Sequence, residues 1–281
     1  MNASKVWLVT GASKGLGLQL VTKLLQKGHQ VAATSRSVED LQKAVGVQHN
    51  FLPLTLDVSN DNAVKLAIEK VVTHFGHLDV VVNNAGYGQL GTLEELTDEE
   101  ARRAFDINVF GSLNIIRNTM PYLRQQRSGY IINISSIAGF VGGFPGWGVY
   151  NASKFAVAGM TEALAAEAQS LGIKTTIVYP GYFRTEFLSK ESLRTAKHPI
   201  DDYKEARELD RVHLQDIPGN QPGDPQKGAE ALIELVSLEQ APLHFFMGSD
   251  SFGMASQKID AVQKDLSAHE SLSKSTDYAQ N

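Results

Sequence analysis

The sequence contains no cysteine, and this absence excludes several kinds of chemistry at once. Disulfide bonds, thiolate metal sites and cysteine nucleophiles all need a residue type that the 281-residue chain lacks. The eight histidines are scattered, and the closest pair, His74 and His77, is separated by a Phe-Gly turn that is typical of the surface. We therefore expect no metal site.

Long apolar runs and a strong excess of one charge are also missing. No stretch approaches the roughly 18 apolar residues that a membrane-spanning helix needs, and no signal peptide precedes the first apolar run near Lys5. The net charge is −5, which gives no electrostatic reason to expect nucleic acid or an anionic membrane as a partner. These features predict a cytoplasmic protein that binds neither.

Short apolar runs alternate with longer stretches in which apolar residues recur every three or four positions. Most runs are apolar at adjacent positions, as is typical of strands covered on both faces. The runs occupy residues 6–10, 30–34, 52–56, 78–84, 130–135, 174–180 and 243–248. The alternation predicts right-handed crossovers and one α/β domain of the Rossmann type, with a doubly wound parallel sheet of about seven strands and helices on both faces.

Two segments interrupt this alternation, and both follow the carboxyl ends of predicted strands, where ligands bind in such sheets. Residues 137–149 are rich in glycine and aromatic residues. Residues 182–225 are polar and irregular, and we expect them to form a lid over the substrate. We assign residues 1–255, including this lid, to the domain and residues 256–281 to a polar C-terminal tail.

An acidic cluster at residues 94–100 could be mistaken for paired catalytic carboxylates. It contains the sequence TDEE at 97–100, in which Thr97 can cap a helix while Glu100 occupies the third helical position. Compensation of the helix dipole explains the cluster, including Glu94 and Glu95, without any chemistry.

The first predicted strand runs into TGASKGLG (10–17), which opens a helix. Gly11 permits a tight turn, and Gly15 and Gly17 let backbone amides approach a pyrophosphate and let the helix pack on the strand. A glycine trio between a strand and a helix indicates a dinucleotide site.

The end of the second strand indicates which dinucleotide binds. An NAD site needs an acid there for the ribose hydroxyls, but residues 34–37 read TSRS and no acid appears before Glu39. Arg36 and Lys14 instead offer cations for a 2′-phosphate, which favours NADP(H) over NAD(H). The alternative is that both are solvated surface charges.

The motifs of this sequence resemble those of the short-chain dehydrogenases/reductases in their order and approximate spacing, over residues 5–250. They are TGASKGLG (10–17), NNAG (83–86), Asn108 within FDINVFG, ISS (134–136), YNASK (150–154) and PG (180–181). Two segments, NNAGYG and GNQPGDP, look most like the hydroxysteroid-dehydrogenase-like branch. The resemblance implies a homodimer or homotetramer.

The resemblance implies roles for individual residues. Tyr150 matches the catalytic tyrosine, Lys154 its lysine partner and ribose ligand, Ser136 the substrate-orienting serine, and Asn108 an asparagine that holds a water. The matching cofactor-binding residues are Gly11, Ser13, Lys14, Gly15, Leu16, Gly17, Arg36, Asp57, Val58, Asn84, Ala85, Gly86, Tyr150, Lys154, Pro180, Gly181 and Thr185.

One spacing departs from the family pattern. The serine usually stands thirteen residues before the tyrosine, but Ser136 stands fourteen before Tyr150, and Ile137 cannot hydrogen-bond a carbonyl. We infer one extra residue in the 137–149 loop, which leaves open whether Ser135 or Ser136 faces the substrate.

The expected chemistry is carbonyl reduction or its reverse. A tyrosine has a pKa near 10, and a cation four residues away on the same helix face should stabilise its phenolate and lower that pKa. Tyr150 would then act as general acid in reduction and general base in oxidation, while Ser136 holds the substrate oxygen.

The expected pocket is apolar and suits an uncharged, fairly hydrophobic ketone, aldehyde or alcohol. Its candidate walls are Tyr87, Phe140, Phe144, Trp147, Tyr182, Phe183 and Phe187. Two alternatives to a reductase stay open. A non-catalytic NADP(H)-binding sensor or scaffold would not need the Ser-Tyr-Lys set, and a nucleotide-sugar dehydratase or epimerase would need more residues after Gly181.

Overall fold

The computed structural model describes residues 4–189 and 192–278. Residues 190 and 191 of the expected lid, 1–3 of the expected domain and 279–281 of the expected tail lie outside this range. Within it, no helix combines the length and the apolar character needed to cross a membrane.

All seven apolar runs form strands of one parallel sheet, and two further strands of two residues pair with each other. The strands are β1 (Val6–Val9), β2 (Gln30–Ser35), β3 (Phe51–Thr55), β4 (Val80–Asn83), β5 (Gly88–Gln89), β6 (Gly129–Ile134), β7 (Ile173–Pro180), β8 (Leu193–Arg194) and β9 (His244–Met247).

The main sheet has the strand order β3-β2-β1-β4-β6-β7-β9, so the chain winds outward from β1 in one direction and then from β4 in the other. In register, Val9 lies beside Ala33 of β2 and Val82 of β4. The gap between the carboxyl ends of β1 and β4 is the topological switch point, where doubly wound sheets bind ligands. The predicted Rossmann architecture is confirmed.

Helices cover both faces of this sheet. They are α1 (Gly15–Gln26), α2 (Val38–Val45), α3 (Asp61–Phe75), α4 (Asp98–Phe105), α5 (Gly111–Gln126), α6 (Gly148–Ala168), α7 (Lys204–Arg211), α8 (Pro225–Ser237), α9 (Ser249–Ala268) and α10 (Glu270–Lys274).

The two faces of the sheet belong to two separate apolar clusters. Along β1, Val9 packs with Leu20 of α1 and Leu232 of α8, whereas Leu8 packs with Ile68 of α3 and with residues of α5 and α6. Successive side chains of a strand point to opposite faces, so strands that are covered on both faces must be apolar throughout. Each fully buried Val or Leu contributes about 1.5–3 kcal/mol.

The expected lid is more regular than its sequence indicates. It contains a 3₁₀ turn at Glu186–Leu188, strand β8, helix α7 and a π-helical turn at Val212–Asp216. Strand β8 pairs with β5, so this segment is joined to the main body by backbone hydrogen bonds. The interpretation of residues 182–225 as irregular was therefore wrong for these elements.

The acidic cluster has two different uses. Thr97 and Glu100 form the expected capping box of α4. Glu95 instead lies buried and accepts hydrogen bonds from the backbone of Ile200 at 2.6 Å and from the guanidinium of Arg207 at 2.8 Å. Dipole compensation does not account for Glu95, because its carboxylate holds the lid to the body.

The expected C-terminal tail is helical. Helix α9 begins in the body, where Ser251 and Ala255 are buried, and it continues across the boundary that we placed at residue 255. From residue 256 onward the described residues are exposed. The division into domain and tail stays a prediction.

Candidate active site

A cleft of about 320 Å³ lies along the carboxyl ends of the strands of the main sheet, at the topological switch point. It brings together most of the residues that the sequence singled out. They are Gly11, Ser13, Lys14, Gly15, Leu16, Arg36, Asp57, Val58, Asn84, Ala85, Gly86, Ser136, Tyr150, Lys154, Pro180, Gly181 and Thr185. Two expected residues, Gly17 and Asn108, lie behind this lining.

The glycine loop is held to the end of β4 by a dense set of hydrogen bonds. The hydroxyl of Thr10 accepts from the backbone amides of Asn84 and Ala85 at 3.0 and 3.1 Å. The Asn84 side chain donates to the carbonyls of Thr10 and Gly11, both at 2.9 Å. A Cβ on Gly17 would lie 2.5 Å from the Asn84 amide nitrogen, so Gly17 acts through packing.

The loop already holds an anionic group. The backbone amide of Gly15 donates to the carboxylate of Glu186 at 3.2 Å, at the N-terminus of α1. Helix N-termini attract anions because their first amides lack partners within the helix. The residues present therefore fit a phosphate group at this position.

The far end of the cleft is formed by the ends of β2 and β3. Arg36 is exposed there, and its neighbours Thr34 and Ser35 also line the cleft. Asp57 accepts hydrogen bonds from the backbone and the hydroxyl of Ser59, at 3.0 and 2.7 Å. Asp57 and the next residue, Val58, both line the cleft at this end.

The segment after β7 lies beside the glycine loop and forms another wall of the cleft. A Cβ on Gly181 would lie 2.2 Å from the carboxylate of Asp250, and a Cβ on Gly15 would lie 3.5 Å from Thr185. The Thr185 hydroxyl accepts from the amide of Phe187 at 3.3 Å. The segment therefore crosses the cleft next to the glycine loop.

Tyr150 and Lys154 lie on the inward face of α6, and both are buried. The Lys154 ammonium donates to the carbonyl of Ile134 at 3.0 Å and lies 5.9 Å from the centre of the Tyr150 ring. A Cβ on Gly86 would lie 3.5 Å from the same ammonium, so the glycine keeps this side of the cleft free.

Burial has the largest effect on the pKa values of Tyr150 and Lys154. It raises the pKa of Tyr150 to about 12 and lowers the pKa of Lys154 to about 8. The hydroxyl of Ser136 acts on Tyr150 in the opposite direction and lowers its pKa. The expected lowering by Lys154 was wrong for this state of the site, because the ammonium is directed to Ile134 and desolvation of the phenol outweighs other effects.

The two serines of ISS point to different surroundings. The Ser135 hydroxyl is buried and donates to the backbone carbonyl of Lys154 at 2.9 Å. The Ser136 hydroxyl lines the cleft, hydrogen-bonds the Tyr150 side chain and accepts from the amide of Ala138 at 3.1 Å. Of the two, Ser136 is the serine that faces Tyr150.

Asn108 lies in a π-helical turn at Asp106–Phe110 and is fully surrounded by protein. Its side chain accepts from the Tyr87 amide at 3.0 Å and donates to the Tyr87 carbonyl and the Ser153 hydroxyl, at 3.1 and 3.0 Å. The Ser153 hydroxyl in turn donates to the Tyr150 carbonyl at 2.7 Å. Asn108 thus braces α6 beneath Tyr150.

Six of the seven expected aromatic walls line the cleft, namely Tyr87, Phe144, Trp147, Tyr182, Phe183 and Phe187. Phe140 does not. It packs edge-on against Tyr179 and Phe246 in a separate apolar cluster on the far side of β7.

Sequence reasoning missed several residues of the cleft. His213, Gln221 and Arg194 line it from the lid, and Glu186 touches the glycine loop. Nothing in the local sequence identifies His213, because only the folded lid brings residue 213 to the end of β7. Within the described part of the chain, no three His, Asp or Glu side chains are grouped closely enough to hold a metal ion.

The sequence of this chain is similar to those of known oxidoreductases. The family model described as short chain dehydrogenase matches residues 5–196. A 3-ketodihydrosphingosine reductase from Bacteroides thetaiotaomicron is 36% identical over 246 residues, covering 87% of this chain and 88% of the relative. Oxidoreductase BOA17 from Botryotinia fuckeliana is 32% identical over 262 residues, covering 92% and 94%.

Solved structures give the same result. A short-chain dehydrogenase from Streptomyces avermitilis superposes with a TM-score of 0.90 and 34% identity, covering 98% of this chain and 100% of that one. ElxO with NADP bound superposes with a TM-score of 0.72 and 30% identity, covering 86% and 96%.

Proposed function

Because the chain belongs to the short-chain dehydrogenase family, we propose that it is an NADP(H)-dependent oxidoreductase. It interconverts a ketone or aldehyde and the corresponding alcohol, with Tyr150 as general acid and base. The observation that carries this proposal is the placement of Ser136, Tyr150 and Lys154 in the same cleft as an anion-holding glycine loop.

The side chains have distinct roles in this proposal. When bound, the nicotinamide supplies the hydride for reduction and accepts it in oxidation. Ser136 donates a hydrogen bond to the substrate oxygen and holds it beside the Tyr150 hydroxyl, which gives its proton to that oxygen. The pKa of Tyr150 lies well above 7, so its hydroxyl carries a proton at neutral pH and can act as the acid.

Lys154 and Asn108 support the proton donor. The Lys154 ammonium lies beside Gly86, on the lining of the cleft, which supports a role for it in binding the cofactor ribose. Asn108 holds the backbone at Tyr87 and, through Ser153, the helix turn that carries Tyr150. Its expected water-holding role remains part of the proposal.

NADP(H) is the proposed cofactor because of the cleft's far end. Arg36 lines it where an NAD enzyme would place an acid, and Lys14 lines it from the glycine loop. Guanidinium groups bind phosphate through paired hydrogen bonds. The similar ElxO structure has NADP bound, which supports the same choice.

The substrate proposal rests on the walls of the cleft. Its inner end is bounded by Phe144, Trp147, Phe187 and Leu188, all apolar, with Ser136 and Tyr150 as polar anchors. Such a lining suits an uncharged, fairly hydrophobic carbonyl compound. The similar Bacteroides protein is named as a reductase of a keto compound, which supports reduction as the main direction.

The test follows NADPH and NADH absorbance with a panel of hydrophobic ketones and aldehydes. We expect ketone-dependent oxidation of NADPH that is faster than that of NADH by about tenfold or more. Replacement of Arg36 by Asp should remove this preference, because an acid repels the 2′-phosphate and accepts the ribose hydroxyls. The matched control is Lys43→Asp, a basic residue exposed on the neighbouring helix α2.

Two outcomes would contradict the proposal. Equal use of NADH and NADPH by the unaltered protein would overturn the role of Arg36. Tight NADPH binding without turnover of any carbonyl compound would favour the sensor or scaffold function.

We also propose that the protein is a homodimer or homotetramer. Phe110 precedes α5 and Phe155 lies on α6, and both are large apolar residues with 51% and 44% of their surface exposed. Burial of such residues against a second copy stabilises an assembly. Light scattering at micromolar concentration should give a multiple of the 30.6 kDa chain mass, whereas a monomer would contradict this proposal.

A further inference from the structure

The first residue after the PG motif makes a contact that the proposed reaction does not use. Tyr182 lines the cleft, and its hydroxyl lies 2.9 Å from Nε2 of His213, which belongs to the π-helical turn at Val212–Asp216. His213 is buried and also lines the cleft. The two residues are 31 positions apart, so their contact exists only when this turn packs beside the end of β7.

The surroundings of His213 decide which of its ring nitrogens carries the hydrogen. Nδ1 lies 2.8 Å from the backbone carbonyl of Leu209, and a carbonyl oxygen can only accept. Nδ1 must therefore donate, and in the neutral ring Nε2 has no hydrogen. Burial lowers the pKa of His213, which favours the neutral form. The ring is further held by Trp147, whose centroid lies 4.8 Å away.

This tautomer determines the direction of the contact with Tyr182. Because Nε2 can only accept, the Tyr182 hydroxyl donates its hydrogen to the histidine. Its oxygen then has no hydrogen left for a ligand and offers only lone pairs. Tyr182, held in this way, is a hydrogen-bond acceptor on the wall of the cleft.

The acceptor lies close to the proton donor. The Trp147 ring connects the two, since its centroid lies 5.3 Å from that of Tyr150 and 4.8 Å from that of His213, the partner of Tyr182. Phe187 also flanks the Tyr150 ring, at a centroid distance of 6.0 Å. Tyr150, Tyr182 and His213 therefore line the same part of the cleft, around Trp147.

We propose that the Tyr182 hydroxyl, oriented by His213, accepts a hydrogen bond from a hydroxyl or amino group next to the reacting carbonyl of the substrate. The preferred substrates are hydroxy ketones or amino ketones within the hydrophobic carbonyl class. This inference rests on the proposed function and adds to it the feature that selects among ketones. Tyr182 is the specificity-determining residue, and His213 is a positioning residue.

The test compares two ketones that differ only in the hydrogen that the site would bind. One carries a hydroxyl group on the carbon next to the carbonyl, and the other carries a methoxy group there, which can accept but not donate. The unaltered protein should have a kcat/KM for NADPH-dependent reduction at least about fivefold higher for the hydroxy ketone. A preference for the methoxy ketone, or none, would overturn the proposal.

Two variants separate recognition from a merely structural contact. Tyr182→Phe removes the acceptor, and His213→Phe keeps the packing against Trp147 but frees the Tyr182 hydroxyl to donate. Both should bring the ratio of the two kcat/KM values close to one. An equal loss of activity with both ketones, leaving the ratio unchanged, would show that the contact only holds the lid and would overturn the proposal. Melting curves of each variant check that it is folded.

A binding measurement separates this inference from the proposed function. Calorimetry on protein loaded with NADP⁺ compares a vicinal diol with its monomethyl ether, and no turnover is needed. We expect tighter binding of the diol, and loss of that difference in Tyr182→Phe. A diol preference without reduction of any ketone would contradict the proposed function alone. Reduction without discrimination, or no diol preference at all, would contradict the assignment of Tyr182.

Discussion

Burial shifts the pKa values of Tyr150 and Lys154 in opposite directions. Each loses solvation of its charged form, so the phenol keeps its proton and the ammonium releases its proton more easily. Ser136 is the neighbour that lowers the pKa of Tyr150, through a hydrogen bond to its hydroxyl. In the proposed mechanism, the serine therefore tunes the proton donor as well as holding the substrate.

The first prediction concerns this tuning. In Ser136→Ala, kcat for ketone reduction should fall by about tenfold to a hundredfold, since the substrate oxygen loses a partner. In the proposed mechanism, reduction needs protonated Tyr150 and slows as pH rises through the pKa of Tyr150. Oxidation needs the phenolate and becomes faster over the same pH range. Loss of the serine should move both inflections to higher pH, as measured in pH–rate profiles of kcat.

The matched control is Ser135→Ala, which removes a hydroxyl directed at the Lys154 carbonyl instead of the cleft. It should lower thermal stability, because the buried carbonyl loses a donor, and leave the inflection in place. A shift in Ser135→Ala but not in Ser136→Ala would contradict the assignment.

At the residue scale, sequence reasoning found Tyr150 and Lys154 but not their pKa directions. The spacing of four residues places both side chains on one helix face, which is a local property. The depth of their burial also depends on Phe187 and other residues of the lid, which are remote from the pair in sequence. The family resemblance therefore singled out the pair, its spacing predicted a shared helix face, and tertiary packing determined its electrostatics.

At the scale of elements, the glycine loop and the end of β4 form one unit. Gly17 has no side chain because the Asn84 amide occupies the adjacent space and bonds the loop carbonyls. A Cβ there would displace Asn84 and lose two hydrogen bonds.

The second prediction follows from this contact. Gly17→Ala should destabilise the protein by about 2 kcal/mol and weaken NADPH binding by about tenfold, because the loop moves away from its phosphate-binding position. Gly253→Ala is the control, since Gly253 lies in α9 with open space around it and should stabilise the helix slightly. Fluorescence titration with NADPH and urea unfolding measure both effects. Unchanged NADPH affinity in Gly17→Ala would contradict this account of the loop.

The lid is held by a buried ion pair. The side chain of Glu95 is completely buried, and its carboxylate lies 2.8 Å from the guanidinium of Arg207 in α7. The same guanidinium lies 3.3 Å from the carboxylate of Asp210. Removal of the Arg207 guanidinium would leave the carboxylates of Glu95 and Asp210 close together in a partly desolvated position, without a cation between them.

The third prediction tests this anchor. In Arg207→Met, amide hydrogen exchange in residues 197–216 should accelerate by about tenfold and the KM for the ketone should rise. Arg211→Met is the control on the same helix, because the partners of Arg211, Glu208 and Asp216, are exposed and such pairs contribute little. Equal exchange in the two variants would contradict the role of Arg207.

The helix in this lid could not be predicted from its own sequence. Helix α7 reads KEARELDR and buries only Ala206 and Asp210, so it lacks the apolar periodicity that marks a helix. The helix is held in place by the ion pair between its Arg207 and Glu95, whereas the sequence pattern explains Glu95 by compensation of a helix dipole. The strands are different, because burial on both faces makes each of them apolar throughout and visible in the sequence.

At the scale of the whole molecule, the buried Lys154 affects stability. Burial lowers its pKa from 10.5 to about 8, so between these values the unfolded chain binds the proton and the folded chain does not. The free energy of unfolding therefore rises with pH between about 8 and 10.5. Below this range Lys154 is charged in the folded protein, and its burial lowers the free energy of unfolding by the full amount.

The fourth prediction is a difference between two unfolding curves. From about pH 7.5 to about pH 9.5, the cofactor-free protein should gain about 2 kcal/mol of unfolding free energy relative to Lys154→Met. Urea unfolding of both proteins measures it, and the variant corrects for all other titrating groups. Parallel pH dependence of the two proteins would contradict a buried, shifted Lys154.

The central claim is that Tyr150 donates the proton in an NADP(H)-dependent carbonyl reduction. Its most direct test is ketone-dependent NADPH oxidation by Tyr150→Phe, with NADPH binding followed by fluorescence in the same samples. We predict that the folded variant still binds NADPH while its kcat falls by about a thousandfold or more. NADPH oxidation by this variant at close to the rate of the unaltered protein would contradict the claim.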